Sequence, residues 1–236
     1  MKKIMLWITD KFAPKMNKVV ENPWVAAVAG SMMKGLPFIL AGSLISFYNV
    51  FRSYVSALPD LGKVADFSFG FISIFLAFLV ANQCMEKKKL SRYTIVAGLI
   101  SIAVFVMFSM PEFNEQGEII LTFNRMGATG MLVAMLVGLF TGCIFNLYSK
   151  LHILENNVTI PDFVTEWINN LIPILCILLI STTIVFTIQF DIFDFILSLF
   201  SPLQNFGQTL PGFVLICLIP AVLYTLGVSN WLFYAA

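Results

Sequence analysis

Six long apolar stretches limit what this 236-residue chain can fold into. A helix needs about 20 predominantly apolar residues to cross a bilayer. The stretches 67–85, 93–110, 127–148, 168–190 and 211–236 contain no charged residue, and the first one, 23–48, contains a single lysine. Charged residues make up 11% of the chain, whereas they make up about 25% of ordinary soluble domains. We therefore expect an all-α integral membrane protein with about six transmembrane helices, and exclude a water-soluble enzyme.

The basic residues are divided unequally between the two sets of loops, and this predicts the orientation. Lysine and arginine near the ends of spans are retained in the cytoplasm. Ten of them lie in the N-terminal segment, the second-to-third loop and the fourth-to-fifth loop, whereas the opposite loops hold three, Arg52, Lys63 and Arg125. We predict a cytoplasmic N-terminus, and with six spans the last helix ends on the same side.

The last part of the chain has an unusual composition. Residues 195–236 carry no charge, and no polar tail or basic residue follows the last apolar stretch. We expect the sequence to be a fragment of a longer membrane protein. Residues 192–200 are too few to cross a bilayer and are predicted to be a re-entrant or interfacial segment. The acidic residues of the outer loops are expected to be solvated; they are Glu112, Glu115, Glu118, Asp191 and Asp194.

Residues that would support catalysis or metal binding are scarce. His152 is the single histidine, so neither a catalytic triad nor a two-histidine metal motif can be formed. The cysteines lie in apolar runs without CxxC spacing, and we interpret them as inert thiols; they are Cys84, Cys143, Cys176 and Cys217. The net charge of +1 gives no basic stripe for nucleic acid. We predict no catalytic residue, metal site, cofactor or nucleic-acid partner.

Lys34 lies near the middle of the first apolar stretch, where a charged residue is a functional candidate by default. Pro37 follows three residues later and is expected to break the helix, because it removes a backbone donor and frees carbonyl groups near residue 33. Two roles are open for Lys34. Its ammonium group either binds these carbonyls or contacts a substrate.

Gly138 and Gly142 form a GxxxG pattern in the fourth apolar stretch. Small residues at this spacing let two helices approach closely. The pattern predicts either packing within the chain or a subunit interface.

Two segments combine proline or glycine with polar residues at membrane depth, namely 160–173 and 220–231. Irregular backbone within a membrane usually lines a solute pathway. Glu166 in the first segment, and Ser229 and Asn230 in the second, are therefore candidate substrate-binding residues. A hydroxyl and an amide together supply hydrogen-bond donors and acceptors for a polar solute.

At these segments the sequence resembles the membrane-embedded IIC permeases of the bacterial sugar phosphotransferase system (PTS), lactose/cellobiose type. In the first helix the resemblance rests on Lys34, Pro37 and the pair Gly42-Ser43. Residues 160–173 have the length and ends of the family's V-P-x-x-V-x-x-x-F-x-x-L-I-P signature. The remaining similar segments are 127–150 and 202–227. The resemblance covers nearly the whole chain, but only the N-terminal half of a family member.

The chain departs from the family pattern at functionally important positions. Where the family has G-I-H-G, this chain has Gly227, Val228, Ser229 and Asn230, so the histidine is missing. The family's essential glutamate and much of its sugar pocket belong to the C-terminal half, which this sequence lacks.

The resemblance implies an EIIC permease that moves a β-linked disaccharide or related sugar across the bacterial plasma membrane. Soluble EIIA and EIIB subunits would be its partners, and it would act as a homodimer. Whether it counts as an enzyme stays open, because the chain has no phosphoryl-transfer residues. Residues 1–150 are predicted to form a scaffold and dimer-interface domain, and residues 151–236 the start of a transport domain. The alternative is a non-transporting scaffold or sensor that dimerises and recruits PTS subunits.

Overall fold

The computed structural model describes residues 18–55, 58–151 and 162–225, and these are largely helical. Short 3-10 turns and a two-stranded hairpin, β1 (Glu112–Phe113) and β2 (Ile119–Ile120), connect the helices. The helices are α1 (Pro23–Arg52), α2 (Gly62–Ser68), α3 (Ile72–Lys87), α4 (Thr94–Phe108), α5 (Met131–Ser149), α6 (Asp162–Thr182), α7 (Ile192–Gly207) and α8 (Leu210–Thr225).

The predicted all-α membrane architecture is confirmed. Among the described residues, five helical segments are long and apolar enough to cross a bilayer. They are Pro23–Arg52, Gly62–Lys87, Ser91–Phe108, Ala128–Ser149 and Val164–Thr187. The sixth apolar stretch begins as α8, and its residues after Thr225 lie outside the described residues.

Helix α1 is continuous through Pro37, so the predicted break is wrong. Pro37 removes one backbone donor, but packing against the antiparallel α3 holds both sides of the helix in place. Near its start, the Trp24 ring lies 4.8 Å from Lys88 Nζ. Farther along, Gly42 lies so close to the turn before α3 that a Cβ there would be 2.7 Å from Phe69 Cβ. Tertiary contacts therefore outweigh the local effect of the proline.

Helix α3 lies at the centre of the molecule and contacts α1, α4 and α5. Its inward face consists of small or compact side chains that are fully buried, among them Ala77, Val80, Ala81 and Cys84. These residues meet the buried face of α5, which includes Val133, Ala134 and Val137. We refer to α1 and α3–α6 as the bundle.

Helix α7 begins where the sequence predicted a re-entrant or interfacial segment. It has 16 residues, which corresponds to a length of about 24 Å and is shorter than a bilayer core. Phe193 and Ile196 in its first turns are buried, whereas Leu199 and Phe206 farther along are exposed. Helix α7 is thus attached to the bundle mainly through its first turns.

Candidate functional site

Lys34 forms an ion pair with Glu86, which the sequence did not predict. Its Nζ donates to Glu86 Oε2 at 2.9 Å, and Gln83 Nε2 donates to the same carboxylate. Gly30 makes room for the glutamine, because a Cβ at this position would lie 2.9 Å from Gln83 Oε1. A lysine, a glutamate and a glutamine thus connect α1 to the end of α3.

The antiparallel arrangement of α1 and α3 explains why these two charges meet. Lys34 lies about 15 Å along α1 from Trp24, and the adjacent Gly35 is level with Leu79 rather than with Glu86. Side chains of a helix lean toward its N-terminus. Lys34 therefore reaches back toward the start of α1, while Glu86 leans in the opposite direction toward the membrane interior. The lysine snorkels toward the end of α3, where Glu86 neutralises its charge.

An apolar cavity of about 360 Å³ adjoins Lys34. Helices α1, α3, α4 and the start of α5 line it, and among the described residues Lys34 is the only polar or charged side chain in the lining. A sugar site needs several convergent donors and acceptors, and this cavity does not offer them. The ammonium group of Lys34 already has a partner within the chain, Glu86, which argues against a contact with substrate. That contact stays a prediction.

The polar side chains of α6 differ in how deeply they are buried and in whether they have a hydrogen-bond partner. Asn169 is buried, and its Oδ1 accepts a hydrogen bond from the Tyr148 hydroxyl of α5 at 3.1 Å. The neighbouring Asn170 has a buried Oδ1 without a hydrogen-bond partner. Glu166 is exposed. Helix α6 is not interrupted at Pro173, and its irregular part is a π-helical turn at Thr183–Thr187.

Arg125 is the centre of another charged cluster. Its Nη2 lies 2.7 Å from Asp191 Oδ2 and 3.6 Å from Asp194 Oδ1, and its guanidinium group lies 4.9 Å from the centre of the Phe193 ring. Its Nη1 also donates to the carbonyl oxygen of Ser109 at 3.4 Å. We call these residues the Arg125 joint.

The expectation that Asp191 is solvated is wrong, because its side chain is only 24% exposed. Its Oδ1 also accepts the N–H groups of Phe193 and Asp194, which caps the start of α7. Sequence reasoning missed the joint. The available signal was a single arginine in one outer loop opposite two aspartates in another.

Gly138 and Gly142 lie in the contact between α5 and α3. A Cβ on Gly138 would be 2.6 Å from Val80 Cβ, and one on Gly142 would be 2.7 Å from Cys84 Cβ. The missing side chains let the two helices of one chain approach closely. We call this contact the α3–α5 seam. A subunit interface at these glycines stays a prediction.

The remaining site candidates are distributed as follows. Ser229, Asn230 and His152 lie outside the described residues. Cys84 is buried in the seam, and Cys143, Cys176 and Cys217 are exposed and free. No cluster of three or more histidine, cysteine or acidic side chains suited to a metal occurs in the described ranges. The described residues therefore offer structural polar contacts, and the two exposed sugar-binding candidates among them are Glu166 and Lys34, of which Lys34 is paired with Glu86.

Comparisons with known proteins agree with this architecture. The sequence model of the family described as "Phosphotransferase system, EIIC" matches residues 26–235. The fold is similar to the crystal structure of the transporter ChbC, the IIC component of the N,N'-diacetylchitobiose-specific phosphotransferase system, with a TM-score of 0.75 and 21% sequence identity. The likeness covers 97% of this chain and 59% of that chain. No curated protein matches in sequence.

The family match extends over nearly all of the apolar stretches and includes the two segments that carry Glu166, Ser229 and Asn230. The helical architecture agrees with it independently. The chain belongs to the EIIC family of the phosphotransferase system and is a multi-pass protein of the plasma membrane.

Proposed function

We propose that the chain is the permease component of a bacterial phosphotransferase system and moves a β-linked disaccharide or related sugar across the membrane. The family match over residues 26–235 carries this proposal. The likeness to a diacetylchitobiose transporter supports a β-linked substrate. A soluble EIIB subunit, recharged by EIIA, phosphorylates the sugar, while the permease supplies the path. The working unit is a homodimer.

The proposed division of labour between the two parts of the chain follows the resemblance to the EIIC family. Residues 1–150 act as scaffold, and residues 151–236 begin the transport domain. Glu166, Ser229 and Asn230 provide carboxylate, hydroxyl and amide groups, which match the hydroxyls of a sugar. The ion pair with Glu86 favours an architectural role for Lys34.

Deletion of the gene in its source cells tests the transport function. Uptake of radiolabelled cellobiose, diacetylchitobiose and lactose should fall to background for at least one of these sugars and return with the wild-type gene. Uptake of maltose, which is α-linked, is the control. Unchanged uptake of all three sugars contradicts the proposal, and co-purification of EIIB with the chain would then favour the scaffold alternative.

Sugar affinity of the protein in lipid vesicles tests the individual residues. Asn230→Ala should weaken binding by about 0.5–1.5 kcal/mol, the usual contribution of one hydrogen bond. Glu166→Gln should weaken it as well, whereas Glu118→Gln in the outer hairpin is the matched control and should have no effect. Wild-type affinity of Asn230→Ala would remove this residue from the site.

Lys34 needs a variant that leaves no unpaired charge behind. The double substitution Lys34→Met with Glu86→Gln removes both members of the pair. Unchanged sugar affinity is the expected result, because the ammonium group is engaged with Glu86. A loss of affinity in the double variant, together with wild-type thermal stability, would assign Lys34 to the sugar site.

A further inference from the structure

The backbone on both sides of Arg125 is packed firmly against the start of α3 and the turn before it. Phe123 lies against Gly70, where a Cβ would be 2.6 Å from Phe123 Cζ. Two residues after the arginine, the Gly127 carbonyl accepts a hydrogen bond from the Ser73 hydroxyl at 2.5 Å. The backbone that carries Arg125 is therefore fixed to the start of α3 on both sides.

The other side of the joint is the first turn of α7. Asp191 uses one oxygen for the cap of this helix and the other for Arg125. Phe193 is buried, lies under the guanidinium group and has its ring centre 6.1 Å from that of Phe105 in α4. Capping, ion pairing and aromatic packing all act within three residues of the chain.

Beyond this turn, α7 has few contacts with the bundle, and the partly buried Phe200 makes one of them. Among the α7 side chains that the structure describes, Ile196 is the last large apolar one that is buried, and the exposed residues include Leu197, Leu199 and Phe206. Helix α8 packs mainly on α7. Gly212 lies so close to α7 that a Cβ would be 1.9 Å from the Phe206 carbonyl oxygen. The connection between α7 and α8 is thus tightly packed. We call these two helices the α7–α8 hairpin, which meets the bundle near the start of α7.

From these contacts we infer that Arg125 is a positioning residue: its ion pair with Asp191 fixes the direction in which the α7–α8 hairpin leaves the bundle. Asp194 has a secondary part, because its contact is longer and its side chain is 73% exposed. This orientation is a property of the fold. Its consequence for sugar movement rests on the proposed function, since α8 precedes the segment that holds Ser229 and Asn230.

The substitution Asp191→Asn separates anchoring from capping. Asparagine caps a helix about as well as aspartate, so α7 keeps its start. The carboxylate is lost, however, and with it the charge-assisted pair to Arg125. Asp194→Asn is the matched control, because it makes the same chemical change one turn farther along the same helix. Arg125→Gln removes the pair from the other side.

Distances between two nitroxide labels in lipid nanodiscs provide the test. The full chain is used in a background of Cys84→Ala, Cys143→Ser, Cys176→Ser and Cys217→Ser. One label pair, at Leu99 and Leu199, spans the joint, and a second pair, at Leu99 and Leu147, lies within the bundle. All three positions are exposed at the surface of the chain.

Asp191→Asn and Arg125→Gln should each broaden the Leu99–Leu199 distance distribution about twofold, because a helix held at one end samples more orientations after the pair is lost. The Leu99–Leu147 distribution should stay narrow, and Asp194→Asn should leave both unchanged. A narrow Leu99–Leu199 distribution in both variants overturns the inference. Broadening of both label pairs also overturns it, because the arginine would then support the bundle as a whole.

A transport measurement separates this inference from the proposed function. If the chain carries sugar, Arg125→Gln should lower the maximal uptake rate and leave the KM unchanged, because the pocket itself is not altered. If the wild-type chain carries no sugar, the proposed function fails. The label distances still decide the role of Arg125 in that case.

Discussion

The α3–α5 seam and the Arg125 joint show two different ways of holding helices together in one membrane protein. In the seam, small residues allow close contact, and no charged side chain takes part. In the joint, one arginine connects three segments through an ion pair, a carbonyl and an aromatic ring. Lipid gives little hydrophobic drive between apolar helices, so the seam depends on shape. The joint depends on charge and is confined to one turn.

This difference suggests that the two regions respond differently to substitution. A larger side chain in the seam separates two helices along much of their length. A substitution in the joint changes one end of one helix. We therefore expect changes in the seam to alter stability, and changes in the joint to alter mainly the orientation of α7.

The largest effect is expected for Gly138→Leu. The new side chain must displace Val80, and it also meets the Ala77 carbonyl oxygen, 3.1 Å from an ideal Cβ. Overpacking of this kind costs about 1–3 kcal/mol. Thermal melting of the purified chain in detergent measures it. Leu136→Ala, on the exposed side of the same helix, is the control, and an unchanged melting temperature for Gly138→Leu would refute the close contact.

A smaller effect is expected for Tyr148→Phe, which removes the donor to Asn169 between α5 and α6. The loss of one buried hydrogen bond should reduce stability by about 0.5–1.5 kcal/mol. Asn170→Ala is the comparison, because the Oδ1 it removes has no partner, and it should change stability less. If Asn170→Ala is the more damaging variant, the assignment of the polar contacts on α6 is wrong.

The smallest effect is expected at the end of α3. Lys89 has φ +59°, a left-handed conformation that favours glycine. The Lys89 N–H donates to Glu86 O, and the Leu90 N–H donates to Met85 O, which is the hydrogen-bond pattern of a Schellman cap. Lys89→Gly should raise the stability by up to about 1 kcal/mol. A fall in the melting temperature would show that the lysine charge matters more than the backbone conformation.

The sequence predicted the helices better than the contacts between them. Long runs of apolar residues without charge indicate that a segment lies in lipid, and the positions of the spans could be predicted from them. They do not report which helix is the neighbour. Lys34 could be identified as a candidate, but Glu86, 52 positions away, could not be identified as its partner. Asp191 likewise looked solvated, because Arg125 is 66 positions distant.

Pro37 shows the same limit for local structure. The rule that proline breaks a helix predicted an interruption, whereas α1 continues because Gly35 and Gly42 pack against α3 and the turn before it. Local preference is overruled when both sides of the proline are held by neighbours. The sugar-binding candidates Ser229 and Asn230 depend on the resemblance and on residue chemistry, and they stay predictions.

The native cysteines test the central contrast between the buried α3–α5 seam and the largely exposed α7–α8 hairpin. No substitution is needed for this test. Cys84 is 1% exposed in the seam, whereas Cys217 of α8 is exposed. Cys143 and Cys176 are exposed on apolar helices of the bundle and serve as controls for the effect of an apolar environment on thiol reactivity. The chain is treated with N-ethylmaleimide at rising temperature, and mass spectrometry measures the modification of each thiol. We predict that Cys84 is the last thiol to react and that its reaction accompanies melting of the bundle, because helix packing shields it in addition to the apolar surroundings that all four thiols share. Reaction of Cys84 at the same rate as Cys217 below the melting temperature would contradict this prediction.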